Sequence, residues 1–150
     1  MKRLLLVLVV VAAVLVPTLA MAGTASACTQ GLTPGWWKNK GADRWTGYAW
    51  GDDFDTVFGM PQGTSDMWAA DGSLSLWEAL TTGGGGFYAF NRQAVAGLLN
   101  STMPGLDYEP TSWVIQRVWH AYGIIPFAPG WESEWEYQKG LLEKYNELGL

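Results

Sequence analysis

Apolar residues recur at helical spacing in the second half of the chain. Between residues 87 and 100 they fall on one face of a helix, at Phe87, Phe90, Ala94, Val95 and Leu98. A similar stripe lies within residues 112–122, and a shorter amphipathic segment over 74–81 begins with serines that suit an N-cap. Residues 131–147 predict a last helix, because their first turns are rich in glutamate, which the helix dipole favours there.

The stretch from Cys28 to Gly72 shows no sustained period of helix or strand. Glycine and proline interrupt it repeatedly, and Thr33-Pro34-Gly35 predicts a turn. Asp53 to Phe58 predicts a single turn of helix. The predicted fold class is therefore mainly α: a single compact domain of about four helices after an irregular N-terminal half rich in Trp and Gly.

Aromatic side chains supply the large apolar groups of that irregular half. The sequence contains 10 Trp, 6 Tyr and 5 Phe, all of them after residue 27. Each buried aromatic side chain removes about 150–250 Å² from water. We therefore expect at least one of Trp36 and Trp37 to be buried against the helix over 87–100.

The same residues also suit a different interpretation, in which they form a glycan-binding surface. An exposed Trp36, Trp37, Lys38 and Asn39 would present flat rings to the apolar face of a pyranose and polar groups to its hydroxyls. We favour the buried arrangement, since adjacent Trp residues are well suited to clamp the irregular half onto the helices.

The first 27 residues have the organisation of an export signal. Lys2 and Arg3 precede an apolar run from Leu4 to Val16, and small residues follow Pro17. At about 1.5 Å per residue the run spans roughly 20 Å, which is shorter than a hydrocarbon core of ~30 Å. We therefore favour a cleaved signal peptide over a membrane anchor.

Two A-x-A sites predict removal of this segment after Ala22 or after Ala27. Residues 28–150 then form a single secreted domain, with no membrane span after processing. Cleavage after Ala27 leaves Cys28 as the first residue, and a cysteine in that place after small residues resembles a lipoprotein processing site. A free or intermolecularly paired thiol is favoured, and a lipid anchor on Cys28 is the alternative.

Charge and cysteine content narrow the classes of partner. The chain has 14 acidic and 9 basic side chains, for a formal net charge of −5 at pH 7. Nucleic acids and anionic membrane surfaces require clustered Lys and Arg, so neither is expected as a partner. A single Cys excludes an internal disulfide. The chain also has only one His, so a zinc site built from Cys and His is not expected, and no cofactor is implied.

The run Thr33 to Lys40, T-P-G-W-W-K-N-K, followed by Trp45, resembles the opening T-P-G-[YFW]-W-K-N-H…W of a secreted bacterial domain family. The resemblance covers about residues 28–122. It continues through four further segments, at 54–59, 73–80, 83–85 and 92–100. Because that family has no established activity, the resemblance implies export and one compact domain but no reaction. Lys40 stands where the family has His, so no metal or acid–base role of that His is expected here.

Several acidic side chains are candidates for a metal site or for catalysis. Asp52, Asp53 and Asp55 offer oxygen ligands of the kind that Ca²⁺ prefers, but their spacing does not match an EF-hand loop. We favour a solvated acidic turn in which Asp53 or Asp55 caps a short helix. A glycosidase would need two carboxylates at a set separation, and nothing in the spacing of Asp55, Glu78 and Glu109 selects a pair.

Two further features have structural interpretations. Gly83 to Gly86 precedes a helix as a phosphate-binding loop does, but the Lys and the Ser or Thr of such a loop are absent, so we expect a turn. His120 lies beside the apolar stripe of its helix, and we expect its side chain to be partly buried and hydrogen-bonded.

These observations leave three functions open. The favoured one is an exported extracellular or cell-surface module, non-enzymatic, whose partner is a cell-envelope polymer or a surface protein. The second is a glycan-binding module, which three or more exposed Trp in a row or groove would favour. The third is a secreted hydrolase, which needs a cleft holding paired carboxylates of shifted pKa.

Overall fold

The computed structural model describes residues 31–124 and 131–148, and this part of the chain is helical. Its α-helices are α1 (Pro34–Asn39), α2 (Phe54–Phe58), α3 (Leu76–Thr81), α4 (Phe87–Thr102), α5 (Thr111–Ala121) and α6 (Trp131–Glu147), with a short 3₁₀ helix over Asp66–Trp68. No β-strand occurs within the described ranges, so the predicted mainly α class is confirmed. The predicted signal segment 1–27, both cleavage sites and Cys28 lie outside the described residues.

The four helices predicted from the apolar pattern are all present, as α3, α4, α5 and α6. α3 begins at Leu76 and not at residue 74, because the two residues before it are extended and paired with the start of α2. The Leu74 carbonyl accepts from the Phe54 N–H at 2.8 Å, and Ser75 forms an isolated antiparallel bridge with Asp53. The Ser75 side chain then caps α3.

Two short helices give the N-terminal half more regular structure than its pattern indicates. At Thr33-Pro34-Gly35, where the sequence predicts a turn, the structure has the first turn of α1. Thr33 Oγ1 accepts from the Trp36 N–H at 3.2 Å, and Pro34 lies in the first turn, where its missing N–H leaves no helix bond unmade. The helical turn predicted over 53–58 is confirmed as α2, which Gly59 ends in the left-handed conformation at φ 64°.

α4 lies at the centre of the domain and packs against α1, α3, α5 and α6. Because it has neighbours on every side, each residue from Ala94 to Asn100 is buried. The predicted apolar stripe is therefore only part of its buried surface. The remainder includes Gly97 and the two asparagines Asn91 and Asn100.

The ring and amide contacts of α4 define the direction of its neighbours. Phe87 near the start of α4 packs on Trp135 near the start of α6, with ring centroids 5.3 Å apart. Asn100 near the end of α4 bonds Asn146 near the end of α6, so these two helices run parallel. Tyr122, which follows the end of α5, packs against Phe87 at the start of α4, with ring centroids 5.2 Å apart. α5 therefore runs antiparallel to α4 and α6.

α6 packs on the core through a largely polar face. Its buried residues recur every four positions, at Glu134, Gln138, Leu142 and Asn146. Asn146 Nδ2 donates to the Gln93 carbonyl at 3.0 Å, and its Oδ1 accepts from Tyr108 Oη at 2.7 Å. Hydrogen bonds thus supply at this interface the contacts that apolar packing supplies elsewhere.

Trp37 joins the N-terminal half to this helical core. Its side chain is fully buried, and Nε1 donates to Asn100 Oδ1 on α4 at 2.9 Å. The expectation that at least one of Trp36 and Trp37 is buried against the helix over 87–100 is therefore confirmed.

Candidate functional site

The predicted aromatic surface at the start of the domain is divided between core and solvent. Trp37 is fully buried and has no face available to a ligand. Trp36 is half-buried, edge-on to Trp37 with ring centroids 5.0 Å apart, and the guanidinium of Arg44 lies 5.8 Å from its ring centroid. Lys38 and Asn39 are exposed, and Asn39 Nδ2 donates to a carbonyl of its own helix. These four side chains do not form one flat surface.

Among the Trp residues whose burial is described, Trp50 is the exposed one, with 48% of its surface accessible. The half-buried ones pack against the hydrophobic core: Trp36, Trp45, Trp68, Trp77, Trp113, Trp119 and Trp135. Among these residues Trp50 is therefore the most accessible Trp, and a row of three exposed Trp is not found in the described part of the chain.

Trp50 lies at the tip of a tight turn. The Asp52 N–H donates to the Ala49 carbonyl at 3.1 Å, and Asp52 Oδ2 accepts from the Ala49 N–H at 2.7 Å. The turn is attached to the start of α3, where the Trp77 N–H donates to the Trp50 carbonyl at 3.0 Å and the Leu76 N–H donates to the Asp52 carbonyl at 2.9 Å. The position of Trp50 is thus set by backbone hydrogen bonds on both sides of it.

Three indoles, Trp45, Trp50 and Trp77, form what we term the three-tryptophan cluster. The rings of Trp50 and Trp77 are stacked, with centroids 4.7 Å apart and planes 20° from parallel. Trp45 lies 6.4 Å from Trp50 and 6.3 Å from Trp77, measured between ring centroids. Because it is nearly equidistant from the two stacked rings, Trp45 lies beside the pair and does not cover the outer face of Trp50.

Polar groups lie in the same turn as the exposed indole. Burial raises the pKa of Tyr48, and the nearby carboxylate of Asp52 raises it further. The phenol therefore stays protonated at physiological pH and can donate a hydrogen bond. Asp43 is exposed and follows Ala42, whose carbonyl accepts from Trp50 Nε1.

Sequence reasoning did not single out the three-tryptophan cluster. A local indication of exposure exists, because Trp50 is followed by Gly51 within a glycine-rich stretch that is typical of turns. The stack with Trp77 joins segments that are distant in the chain, so no local spacing predicts it.

The three aspartates considered as calcium ligands bind different parts of the backbone. Asp52 closes the Trp50 turn, and Asp53 caps α2 by accepting from the Thr56 N–H at 2.7 Å. Asp55 is fully buried, and its carboxylate accepts from the Ser65 N–H at 3.1 Å. Within the ranges that the structure describes, no three His, Cys, Asp or Glu side chains come together as a metal site requires.

Two of the carboxylates considered for hydrolysis are also bound to backbone groups. Besides the buried Asp55, Glu78 accepts through Oε1 from the Ala70 N–H and so holds the loop before α3. Glu109 is half-buried in the segment before α5. Asp55 and Glu78 therefore stabilise loops of the fold.

The glycine loop at 83–86 offers carbonyl groups, and not N–H groups, to its charged neighbour. Arg92 on α4 donates to the Thr82 carbonyl through Nη1 and to the Gly84 carbonyl through Nη2, the latter at 2.7 Å. The guanidinium thus ties the loop to α4, which agrees with the predicted turn.

An apolar pocket of about 580 Å³ opens between the 3₁₀ helix and the end of α5. Trp68 and Phe87, which line it, are stacked with ring centroids 4.9 Å apart. Burial raises the pKa of Tyr122, so this wall of the pocket stays uncharged. His120 is half-buried at the rim.

No helix in the described ranges has both the length and the apolar character needed to cross a bilayer. No protein-family model, no curated protein and no solved structure matches the chain.

Proposed function

We propose that this chain is exported and works as a non-enzymatic module of the extracellular space or cell surface, through contacts with a cell-envelope polymer or a surface protein. The observation that carries the proposal is the use of its carboxylates. Asp53, Asp55 and Glu78 each accept a hydrogen bond from a backbone N–H that holds a helix start or a loop. A carboxylate bound in this way is oriented toward the fold and not toward a substrate, which supports binding over catalysis.

Two features of the sequence support export. Residues 1–27 have the basic start, short apolar run and small-residue sites of a signal peptide. The run Thr33 to Lys40 resembles the opening of a secreted bacterial domain family. A lipid on Cys28 is the alternative form of the exported protein, and it differs from the secreted form only in how the domain is retained outside the cell.

Expression of the full chain in a bacterial host tests export. We expect the exported fraction to contain a product that begins at Gly23 or Cys28, as determined by intact-mass spectrometry. An added acyl mass on Cys28 would identify the lipid-anchored form. The matched control is the double variant Leu8→Arg and Val10→Arg, which interrupts the apolar run and should keep the protein inside the cell. A product that retains Met1 in the membrane fraction contradicts the proposal.

A second experiment separates binding from hydrolysis. The purified exported protein is incubated with cell-wall polysaccharide, and newly formed reducing ends are measured. We expect the wild type, Asp55→Asn and Glu78→Gln to release no more than the buffer control. Turnover that Glu78→Gln abolishes, at an unchanged thermal midpoint, would overturn the non-enzymatic proposal in favour of a hydrolase.

A further inference from the structure

We propose that Trp50, supported by Trp77 and Trp45, is a stacking platform for the pyranose rings of a neutral polysaccharide outside the cell. The ligand class is a β-linked polymer of glucose or N-acetylglucosamine type, whose rings present a flat C–H face. This inference deepens the proposed function and rests on it, because it assigns the binding surface of an exported module and the chemistry of its partner.

The Trp50 indole is held in one orientation. Its Nε1 donates to the Ala42 carbonyl at 3.1 Å, and its backbone carbonyl accepts from the Trp77 N–H at 3.0 Å. The ring also stacks on Trp77 with centroids 4.7 Å apart. An aromatic side chain fixed before binding loses little conformational entropy when a ligand arrives, which is an advantage for a binding site.

Only one face of the Trp50 ring is covered by another aromatic ring. Trp77 covers one face, and Trp45 lies beside the stacked pair, so neither covers the opposite face. Trp50 keeps 48% of its surface accessible while its ring nitrogen and its backbone carbonyl are both hydrogen-bonded. The fold therefore exposes a large apolar surface in a rigid position, and burial of that surface by a ligand would be favourable.

The segments that hold the Trp50 ring, which we term its rim, carry polar side chains. The turn that carries Trp50 also carries the Tyr48 phenol, which is a donor. The exposed Asp43 carboxylate, which is an acceptor, follows Ala42, whose carbonyl accepts from the Trp50 ring nitrogen. Sugar hydroxyls both donate and accept, so a donor and an acceptor on the segments that hold the ring suit a pyranose ligand. The acidic rim and the net charge of −5 disfavour anionic polymers, because a phosphate or uronate group would be repelled. A neutral polymer is thus the best match.

Titration of the purified protein with cellohexaose and with chitohexaose tests the inference. We expect at least one of them to bind the wild type with a Kd of about 0.1–1 mM, measured by calorimetry or by the shift of Trp fluorescence. Trp50→Ala should weaken that binding by about tenfold or more. Met67→Ala is the matched control, because Met67 is also an exposed apolar side chain, with 73% of its surface accessible. It lies at the pocket that Trp68 and Phe87 line, so its loss should leave the Kd unchanged.

A further variant guards against loss of folding in Trp50→Ala. Trp50→Phe keeps an aromatic ring on Trp77 and should weaken binding by less than Trp50→Ala, with a thermal midpoint close to that of the wild type. Absence of binding by the wild type, or equal Kd values for the wild type and Trp50→Ala, would overturn the inference. Binding of polygalacturonate in preference to both neutral sugars would overturn the assigned ligand class.

The failure of this inference is distinguishable from the failure of the proposed function. The titration uses purified protein and reads the sugar site regardless of where the chain is located in the cell. A protein that is exported but binds neither hexasaccharide refutes only the Trp50 site. A protein that is retained inside the cell refutes the exported module whatever the titration shows.

Discussion

The side chain of Asn100 connects three segments of the chain at one buried point. Its Oδ1 accepts from the Leu32 N–H at 3.0 Å and from Trp37 Nε1 at 2.9 Å. Its Nδ2 donates to the Leu32 carbonyl at 3.0 Å and to Asn146 Oδ1 at 2.9 Å. Both donors and both acceptor positions of the amide are therefore used, and these hydrogen bonds offset the free-energy cost of burying it.

Replacing Asn100 with Ala should strongly reduce the free energy of unfolding. The substitution leaves the buried Trp37 Nε1 and the part-buried backbone groups of Leu32 without partners. Each such group costs about 1–3 kcal/mol, so we expect the free energy of unfolding in urea denaturation to fall by about 3 kcal/mol or more. Asn39→Ala is the matched control. Asn39 is exposed and bonds a carbonyl of its own helix, so its loss should be below about 0.5 kcal/mol. Equal losses in the two variants would contradict the role of Asn100.

Asp53 makes the start of α2 sensitive to pH. Burial acts to raise the pKa of Asp53, but hydrogen bonds from Thr56, Gln62 and Ser73 outweigh it and hold the pKa below its ordinary value. Because the pKa is lower in the folded state than in the unfolded state, the ionised cap stabilises the fold above about pH 4. That stabilisation is lost as the pH falls through the folded-state value.

Asp53→Ala should therefore be less stable than the wild type by about 0.5–2 kcal/mol at pH 7. The difference should narrow below about pH 4, as followed by thermal melts at stepped pH. Asp53→Asn is the matched control, because an Asn cap accepts the same backbone hydrogen bond without titrating. Its stability relative to Asp53→Ala should not change with pH. A wild-type advantage over Asp53→Ala that is constant down to about pH 2 would show that the carboxylate charge plays no part.

At the scale of elements, the three long helices approach one another at Gly97 of α4. A Cβ placed there would lie 3.1 Å from Tyr108 Oη, 3.3 Å from Leu142 Cδ2 and 3.4 Å from Val114 Cγ1. Tyr108 lies in the segment before α5, Leu142 on α6 and Val114 on α5. The absence of a side chain at Gly97 therefore allows these elements to pack closely on α4. Gly140 on α6 is the opposite case, since nothing lies within 4 Å of its Cβ position.

Alanine substitutions at these two glycines should have opposite effects. Gly97→Ala requires Tyr108 and Leu142 to move by a few tenths of an ångström. Overpacking costs typically about 1–3 kcal/mol, which outweighs the gain in helix propensity of about 1 kcal/mol. We therefore expect Gly97→Ala to be destabilised by about 1 kcal/mol. Gly140→Ala should be stabilised by up to about 1 kcal/mol, because it gains propensity in open space. Chemical denaturation of both variants decides this, and stabilisation by both would show that the helix contacts at Gly97 are loose.

At the scale of the whole molecule, the two halves of the described chain share one core. Trp37, Phe54 and Phe58 from the first half are fully buried in the same cluster as Phe90 and Leu98 from α4. Neither half has a separate core among these residues, so we expect the domain to unfold in a single cooperative transition.

Trp37→Ala tests this cooperativity. Removal of a fully buried Trp costs about 3–5 kcal/mol, so the midpoint should fall sharply. Far-UV circular dichroism, which reports the helices, and Trp fluorescence, which reports the aromatic half as well, should show the same lowered midpoint. Trp50→Ala should melt within a few degrees of the wild type, because its ring is half exposed. Separate transitions for the two probes would show that the halves fold independently.

Most of the helical architecture was predictable because the relevant interactions are local. The apolar stripe of 87–100 and the capped segment before Leu76 depend on residues within about four positions of one another. The first turn of α1 was predicted as a simple turn, since Pro34-Gly35 is common in turns and only the Thr33 cap distinguishes a helix start. The polar face of α6 was not predicted, because its partners lie on α4 and in the segment before α5.

The sequence by itself determined the mainly α class, the limits of the long helices and the presence of many aromatic anchors, because periodicity, caps and composition act locally. The tertiary structure alone decided which of those anchors are inside. Trp37 is buried, and its ring N–H donates to Asn100, far along the chain. Trp50 is exposed, in a turn attached to the start of α3. Burial is a sum over contacts between distant segments, and a local pattern contains no information about which distant segment arrives.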